Sequence, residues 1–209
     1  MSAFLIPAGL GYLLGSIPFG LLLARLFGAG DVRSQGSGNI GATNVARSAG
    51  MHVGLLTFAL DAAKGAVPAW FFLGRSAELG WAAGLAPAAV AGAGAVFGHC
   101  LSIWLKGRGG KGIATYFGAT VVLLPWCGLA FAVAWIVTLL LSRYVAVASV
   151  LATWVAVVTA SVLKAPVVAV ALGLAALLCT IRHESNFRRL RVGEESKIGQ
   201  SDEKEEQAS

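Results

Sequence analysis

The sequence predicts an all-α, polytopic membrane protein with seven transmembrane helices, its N-terminus outside and its C-terminus in the cytoplasm. Three observations carry that prediction. Hydrophobic residues fill 57% of the 209 positions and charged residues only 12%, about half the charged share of a globular domain. Apolar runs near the bilayer-crossing length recur along the chain. The basic residues fall in short connections and a short tail, as the positive-inside rule expects of cytoplasmic segments. The net charge of +6 therefore reads as topology and as a field for an anionic substrate, with no nucleic acid as partner.

The first span covers about Ala3 to Phe27 and includes Pro7 and Pro18, which membrane helices tolerate when neighbours satisfy the freed backbone. The opening MSAFLIPAGL has no basic stretch and no small-residue cleavage site, so it is expected to remain as part of that span. A glycine-rich loop follows, from Asp31 to Gly50. Glycines at 36, 38 and 41 are expected to turn successive N–H groups toward one point, an anion-binding nest. Ser37, Asn39, Thr43 and Asn44 add side-chain donors, and Arg33 and Arg47 add forked positive charge. The alternative is a plain solvated turn between two helices.

The second span covers about Met51 to Leu73, with Asp61 and Lys64 near its beginning. Ionisable residues inside a membrane segment point to function, but the i, i+3 spacing equally suits a structural ion pair. The third span, about Trp81 to Leu105, contains GLAPAAVAGAGAVFGHC, whose small residues permit close helix contact. It ends in a second basic glycine loop, LKGRGGKG. The run from Ile113 to Leu141 is too long for one ordinary span. Two short helices meeting at Pro125 keep that loop, Ser142–Arg143 and the C-terminus on the side of the first loop, which the charge bias favours. Spans over Val145–Val162 and Val167–Ile181 complete the seven. A single domain of residues 1–199 is followed by QSDEKEEQAS, whose polar, acidic composition predicts a disordered tail over 200–209.

Three polar segments thus converge on one membrane face. The second loop offers Gly109, Gly110 and Lys111, with Lys106 and Arg108 beside them and His99 a little upstream. It lacks the glycine and the hydroxyl that a Walker A loop needs, since Leu105 and Gly112 stand there, so nucleotide hydrolysis is not indicated. His183 and Asn186 share a face if the last helix continues to Phe187, and His183 is either a general base or an interfacial histidine held by a carbonyl. Arg188, Arg189 and Arg191 read as anchors on anionic lipid. Glu195 orients a basic partner or is an exposed tail acid. Cys100, Cys127 and Cys179 have no C-x-x-C spacing, and Cys127 and Cys179 lie in apolar runs where packing is the usual role. No paired carboxylates, His/Cys cluster or G-x-S-x-G elbow is present, so neither a metal site nor a serine hydrolase is expected.

GSGNIGATNVAR at 36–47, DAAKG at 61–65, GGKGIAT at 109–115, SRYVAVAS at 142–149 and RHESNFRRLRVGEESK at 182–197 resemble, in order and spacing, the membrane-integral glycerol-3-phosphate acyltransferases that use acyl phosphate, the PlsY family. The resemblance implies acyl transfer from acyl phosphate to the 1-hydroxyl of glycerol 3-phosphate, giving lysophosphatidic acid and phosphate. It implies no cofactor and no metal, and an active site facing the cytosol in a bacterial inner membrane; membrane lipids are the expected surroundings and a monomer the expected state. Carried onto this chain, the catalytic residues are Ser37, Arg47, Lys111, His183 and Asn186. Around the substrates stand Gly36, Gly38, Asn39, Thr43, Asn44, Gly109, Gly110, Ser142, Arg143 and Glu195. The chain departs from the family pattern at Leu101 and Ser102, where an aromatic–proline pair is usual and a kink is expected to be lost. The rival reading is a transporter of a phosphorylated solute, which would place charges along a path across the bilayer.

Overall fold

The computed structural model describes residues 2–75, 78 and 84–199. Parts of the connection expected at 74–80, the start of the third span and the tail at 200–209 lie outside the described residues. The described regular structure is helical: α1 (Ser2–Gly15), α2 (Phe19–Leu26), α3 (Ala42–Ala49), α4 (Met51–Arg75), α5 (Ala86–Cys100), α6 (Ile113–Leu123), α7 (Pro125–Ser142), α8 (Val145–Val162), α9 (Pro166–Arg182) and α10 (Glu184–Arg191). Short 3₁₀ turns stand at Val32–Ser34 and Ile103–Leu105. Five stretches are long and apolar enough to cross a membrane, and α9 with α10, bent by 49°, makes a sixth; α6 is a shorter apolar helix. The long run after the second glycine loop divides where the sequence places the break. Leu124 is extended, and Pro125 opens α7 at the position where its missing N–H is harmless.

Large apolar side chains such as Trp70, Trp126, Leu140, Leu141 and Val162 are exposed, while Ala24, Ala89, Ala91, Ala95, Ala152 and Ala156 are fully buried. A core of small residues inside a coat of large ones suits a bundle solvated by lipid, where close backbone packing replaces the hydrophobic effect between helices. The α1–α5 pair is the clearest case. A Cβ added to Gly11 or Gly15 would strike the backbone of Ala91 or Ala95, and one on Gly94 or Gly98 would strike Ala8 or Tyr12. The small-residue stretch of the third span therefore does seat a neighbouring helix, and that neighbour is the first span.

The expected continuous first span is broken. Pro18 has no N–H to continue the ladder, and Ser16 to Pro18 separate α1 from α2. Two buried side chains satisfy the carbonyls freed there: Ser102 Oγ donates to Ser16 O at 2.6 Å, and Lys64 Nζ donates to Ile17 O at 2.8 Å. At Ser102 no kink is lost, because α5 has already ended at Cys100. Asp61 and Lys64 sit midway along α4 rather than near its beginning, and both are buried. Lys64 Nζ lies 2.8 Å from Asp61 Oδ1, so the ion-pair reading accounts for them. Asp61→Ala is expected to destabilise the protein by about 3–5 kcal/mol, because it strands a buried ammonium, whereas Asp61→Leu with Lys64→Met should recover only part of the loss, since the Ile17 carbonyl then loses Lys64. Thermal unfolding midpoints in detergent check both.

Candidate active site

The polar segments meet at one end of the bundle. Arg33, Ser34 and Gly38 of the first loop face Arg108, Gly109 and Arg182 across a cleft of about 560 Å³. Arg143, at the α7–α8 junction, donates from Nε and Nη2 to Ile198 O at 3.2 and 2.9 Å, and Ile198 N returns a bond to Arg143 O at 2.9 Å. Folding the long run back at Pro125 is what brings that junction to this end.

Asn44 organises the first loop. From the first turns of α3 its buried amide donates to the carbonyls of Val32, Gln35 and Asn39 at 2.9, 3.1 and 2.8 Å, while Oδ1 accepts from Ser37 N at 2.9 Å. Gly38 N donates to Gln35 O at 2.9 Å. The N–H groups of Ser37 and Gly38 are thus turned into the loop, so these two are not aimed at an anion. Asn44, expected to bind substrate, instead spends its hydrogen bonds holding the loop closed. Gly36, with φ +53°, leaves the room that Asn44 Oδ1 needs. Asn44→Ala should cost about 1–3 kcal/mol from the carbonyls it strands, lowering the thermal midpoint as well as loosening substrate binding. Asp31 holds the other side of the loop. It accepts from Arg33 N at 3.0 Å and from Arg33 Nη2 at 2.5 Å, and these hydrogen bonds keep its carboxyl well below the usual carboxylate range.

The second loop departs from expectation in the same way. Gly109 N donates to Cys100 O at 3.2 Å and Gly110 N to His99 O at 3.0 Å. Their N–H groups are therefore committed to the last turn of α5 and are not aimed at an anion. The two glycines are required for close approach instead. A Cβ at 109 would meet the carbonyls of His99 and Cys100, and one at 110 would meet the His99 ring. The His99 ring is itself held, with Nδ1 3.2 Å from Thr115 Oγ1 and 3.7 Å from Asp61 Oδ1. On the opposite side Arg182 donates from Nη2 to Gly109 O at 2.6 Å and from Nε to Gly110 O at 3.1 Å.

This anchored loop presents Lys111. Its Nζ donates to Asn186 Oδ1, Asn186 Nδ2 donates to Glu195 Oε1 at 2.6 Å, and Arg189 Nε donates to Glu195 Oε2 at 2.8 Å. Burial pushes the Lys111 ammonium down to about 8; the Glu195 carboxylate opposes that shift, and Arg189 and Arg182 add to it. One of three ammonium hydrogens goes to Asn186, which leaves two for a ligand. Glu195 has 10% of its side chain exposed and a bond to each oxygen, so it orients Asn186 and Arg189 and is not a free tail acid. The last helix does not run straight through His183. It breaks there and restarts as α10, yet His183 and Asn186 are both buried. His183 Nδ1 lies 2.7 Å from Cys179 O; a carbonyl can only accept, so Nδ1 carries the proton and Nε2 keeps its lone pair.

Other expected site residues lie outside this relay. Ser37, Thr43 and Arg47 are exposed on the first loop and α3 and do not line the cleft. Ser142 caps α7, with Oγ donating to Thr138 O at 2.7 Å and accepting from Tyr144 N at 3.2 Å; Arg143 holds the C-terminal segment. Both are structural ties where substrate contacts were expected. Sequence reasoning gave no role to Arg182 and read Arg189 chiefly as a lipid anchor. Arg182 ends an apolar run beside His183, a position that looks the same whether an arginine faces lipid headgroups or a neighbouring loop.

Cations gathered at one end of an apolar, membrane-length bundle suit chemistry on an anionic group carried by a molecule with a lipid part. That is the class of integral membrane enzymes acting on phosphorylated substrates. Comparison with known proteins narrows the class. The sequence matches the family described as Glycerol-3-phosphate acyltransferase over residues 5–193, and the chain belongs to that family. Relatives with that description include one from Rhodospirillum rubrum, 48% identical over 90% of this chain and 88% of its own, and one from Sinorhizobium medicae, 43% identical over 91% and 90%. Crystal structures of PlsY, an integral membrane glycerol 3-phosphate acyltransferase, share the fold at 36% identity, covering 95% of this chain and 96% of theirs. The TM-score is 0.85 for the glycerol 3-phosphate form and 0.83 for the lysophosphatidic acid form.

Proposed function

We propose that this chain transfers a fatty acyl group from acyl phosphate to the 1-hydroxyl of glycerol 3-phosphate, releasing lysophosphatidic acid and inorganic phosphate. The observation that carries the reading is the Lys111–Asn186–Glu195–Arg189 relay, a partly buried cation with donors to spare at the end of an apolar bundle. The glycerol hydroxyl oxygen attacks the acyl carbonyl, a C–O bond forms, and the bond from that carbon to the phosphate oxygen breaks. Lys111, aided by exposed Arg47 and by Arg33 and Arg108 of the cleft, stabilises the departing phosphate, whose charge grows as the bond breaks. Ser37 and Thr43 supply hydroxyl donors from the first loop. The hydroxyl proton passes to a substrate phosphate oxygen, and His183, whose Nε2 can accept a hydrogen bond, positions the glycerol through its other hydroxyl. Because acyl phosphate is already activated, orientation supplies much of the rate.

An aliphatic tail finds a compatible surface on the flank of the bundle. A cavity of about 620 Å³ opens among α1, α5 and α9, lined almost wholly by apolar side chains including Phe97, Val170 and Leu174. In this reading the chain is a monomeric single domain over residues 1–199 in a bacterial inner membrane, with α6 completing seven spans and the site facing the cytosol. The charge bias supports that orientation, since Arg108, Arg143, Arg182 and Arg189 all lie at the site end. The test is phosphate release by detergent-purified protein given palmitoyl phosphate and glycerol 3-phosphate, with chelator present and coenzyme A absent. Release that requires both substrates is expected; folded protein that releases none would overturn the assignment.

A further inference from the structure

We propose that Arg182 is a positioning residue for acyl transfer, acting through the carbonyl oxygens of Gly109 and Gly110 rather than by touching a substrate. The proposal rests on the acyltransferase reading above and adds to it how Lys111 is held in place.

The backbone at Gly109 and Gly110 is gripped from two sides. Its N–H groups bond the carbonyls of Cys100 and His99 at the end of α5, and its two carbonyls receive the Arg182 guanidinium. Both peptide planes are therefore fixed by partners outside the loop, and Lys111 is the next residue along. Glycine at both positions makes the loop intrinsically mobile, so without the clamp the chain bearing Lys111 would be held from the α5 side alone. Arg182 also sits at the last turn of α9, one residue before His183 and four before Asn186. A single side chain thus ties the loop carrying the cation to the segment carrying its relay partner. No carboxylate pairs with Arg182 among the described residues, so the glycine carbonyls are its recorded side-chain partners. Two acceptors met by separate nitrogens suit a planar fork, and a lysine ammonium, whose three donors all radiate from one atom, cannot reproduce that paired geometry.

The fork can be separated from the charge with two variants of the full-length protein in detergent, Arg182→Lys and Arg182→Gln. Lysine keeps the charge and loses the fork; glutamine loses both the fork and the charge. If Arg182 positions the loop, both variants lose kcat by about tenfold or more, with KM for glycerol 3-phosphate and acyl phosphate within about threefold of wild type, as misplacement of a reacting group predicts. Hydrogen exchange over residues 106–115, measured without substrate on protein that elutes as wild type does, should quicken in both. Retention of most of kcat by Arg182→Lys would overturn the proposal. So would a Gln variant whose loss lies in KM while exchange stays at the wild-type rate, the signature of direct charge contact with a phosphate. Inactivity of the wild-type protein would instead strike the functional assignment, and the exchange comparison would still test the clamp.

Discussion

Replacing Lys111 by alanine is expected to lower turnover by about 100-fold or more, the scale seen when one donor to a developing oxyanion is removed, while leaving the helical bundle folded. Lys111 leaves the second loop and bonds a single protein acceptor, Asn186 Oδ1, so its loss opens no core cavity. It does remove the one lysine joined to the relay. The same residue sets a pH limit. Its ammonium is held down to about 8, so the cation is present below that pH and lost above it. The rate should fall on the alkaline side of about pH 8, well short of where an ordinary lysine loses its proton. Neutralising Glu195 as Glu195→Gln removes the carboxylate that favours the charged form and should move the alkaline limb to lower pH. Initial rates from pH 6 to 10 on the three proteins, each checked by its thermal midpoint, read both effects. A Lys111→Ala enzyme retaining the wild-type rate, or an alkaline limb unmoved in Glu195→Gln, would remove Lys111 from the mechanism.

The parts of this protein that were legible in the sequence are those set by local physics. Pro125 divided a run that length alone left ambiguous, because proline removes a ladder bond inside a helix but readily begins one. The glycines of the third span announced close packing, although only the three-dimensional arrangement names the first span as the partner. Lys111, His183 and Asn186 could be singled out because their chemistry is unusual next to apolar runs, and the structure brings Lys111 to Asn186. What was illegible is what each backbone group bonds. Glycine-rich loops read as anion nests, yet the N–H groups of Ser37, Gly38, Gly109 and Gly110 are all turned to protein acceptors. Asn44, Arg143 and Glu195 resemble ligand contacts by type, and each bonds a neighbouring segment, while Ser142 caps its own helix. A polar side chain that binds substrate and one that holds the loop carry the same letter in a sequence. The break at Ser16 to Pro18 shows the same limit, since its freed carbonyls are answered by Lys64 and Ser102, residues 47 and 86 positions away.

Gly109→Ala should be the most damaging of the single-methyl changes in the second loop, and the reason separates packing from flexibility. The added Cβ would lie 2.8 Å from Cys100 O and closer still to His99 O. Both are backbone atoms at the end of a buried helix, so neither can yield, and the loop must move instead. Moving it loosens the Gly109 N bond to Cys100 O and the Arg182 bond to Gly109 O, and Lys111 moves with it. A shift of about 1 Å in a positioning element costs on the order of 100-fold in rate. Gly110→Ala meets the His99 ring, a side chain that can rotate only by leaving Thr115 and Asp61, so a loss of intermediate size is expected. Gly107→Ala meets nothing within 4 Å. Its φ of +78° puts the cost at about 1 kcal/mol of backbone strain, felt in stability more than in turnover. Measured kcat values should therefore fall in the order Gly107→Ala, Gly110→Ala, Gly109→Ala. If glycine served only for loop mobility, Gly107→Ala with its strained backbone would be the worst of the three, and the reverse order would exclude the packing account.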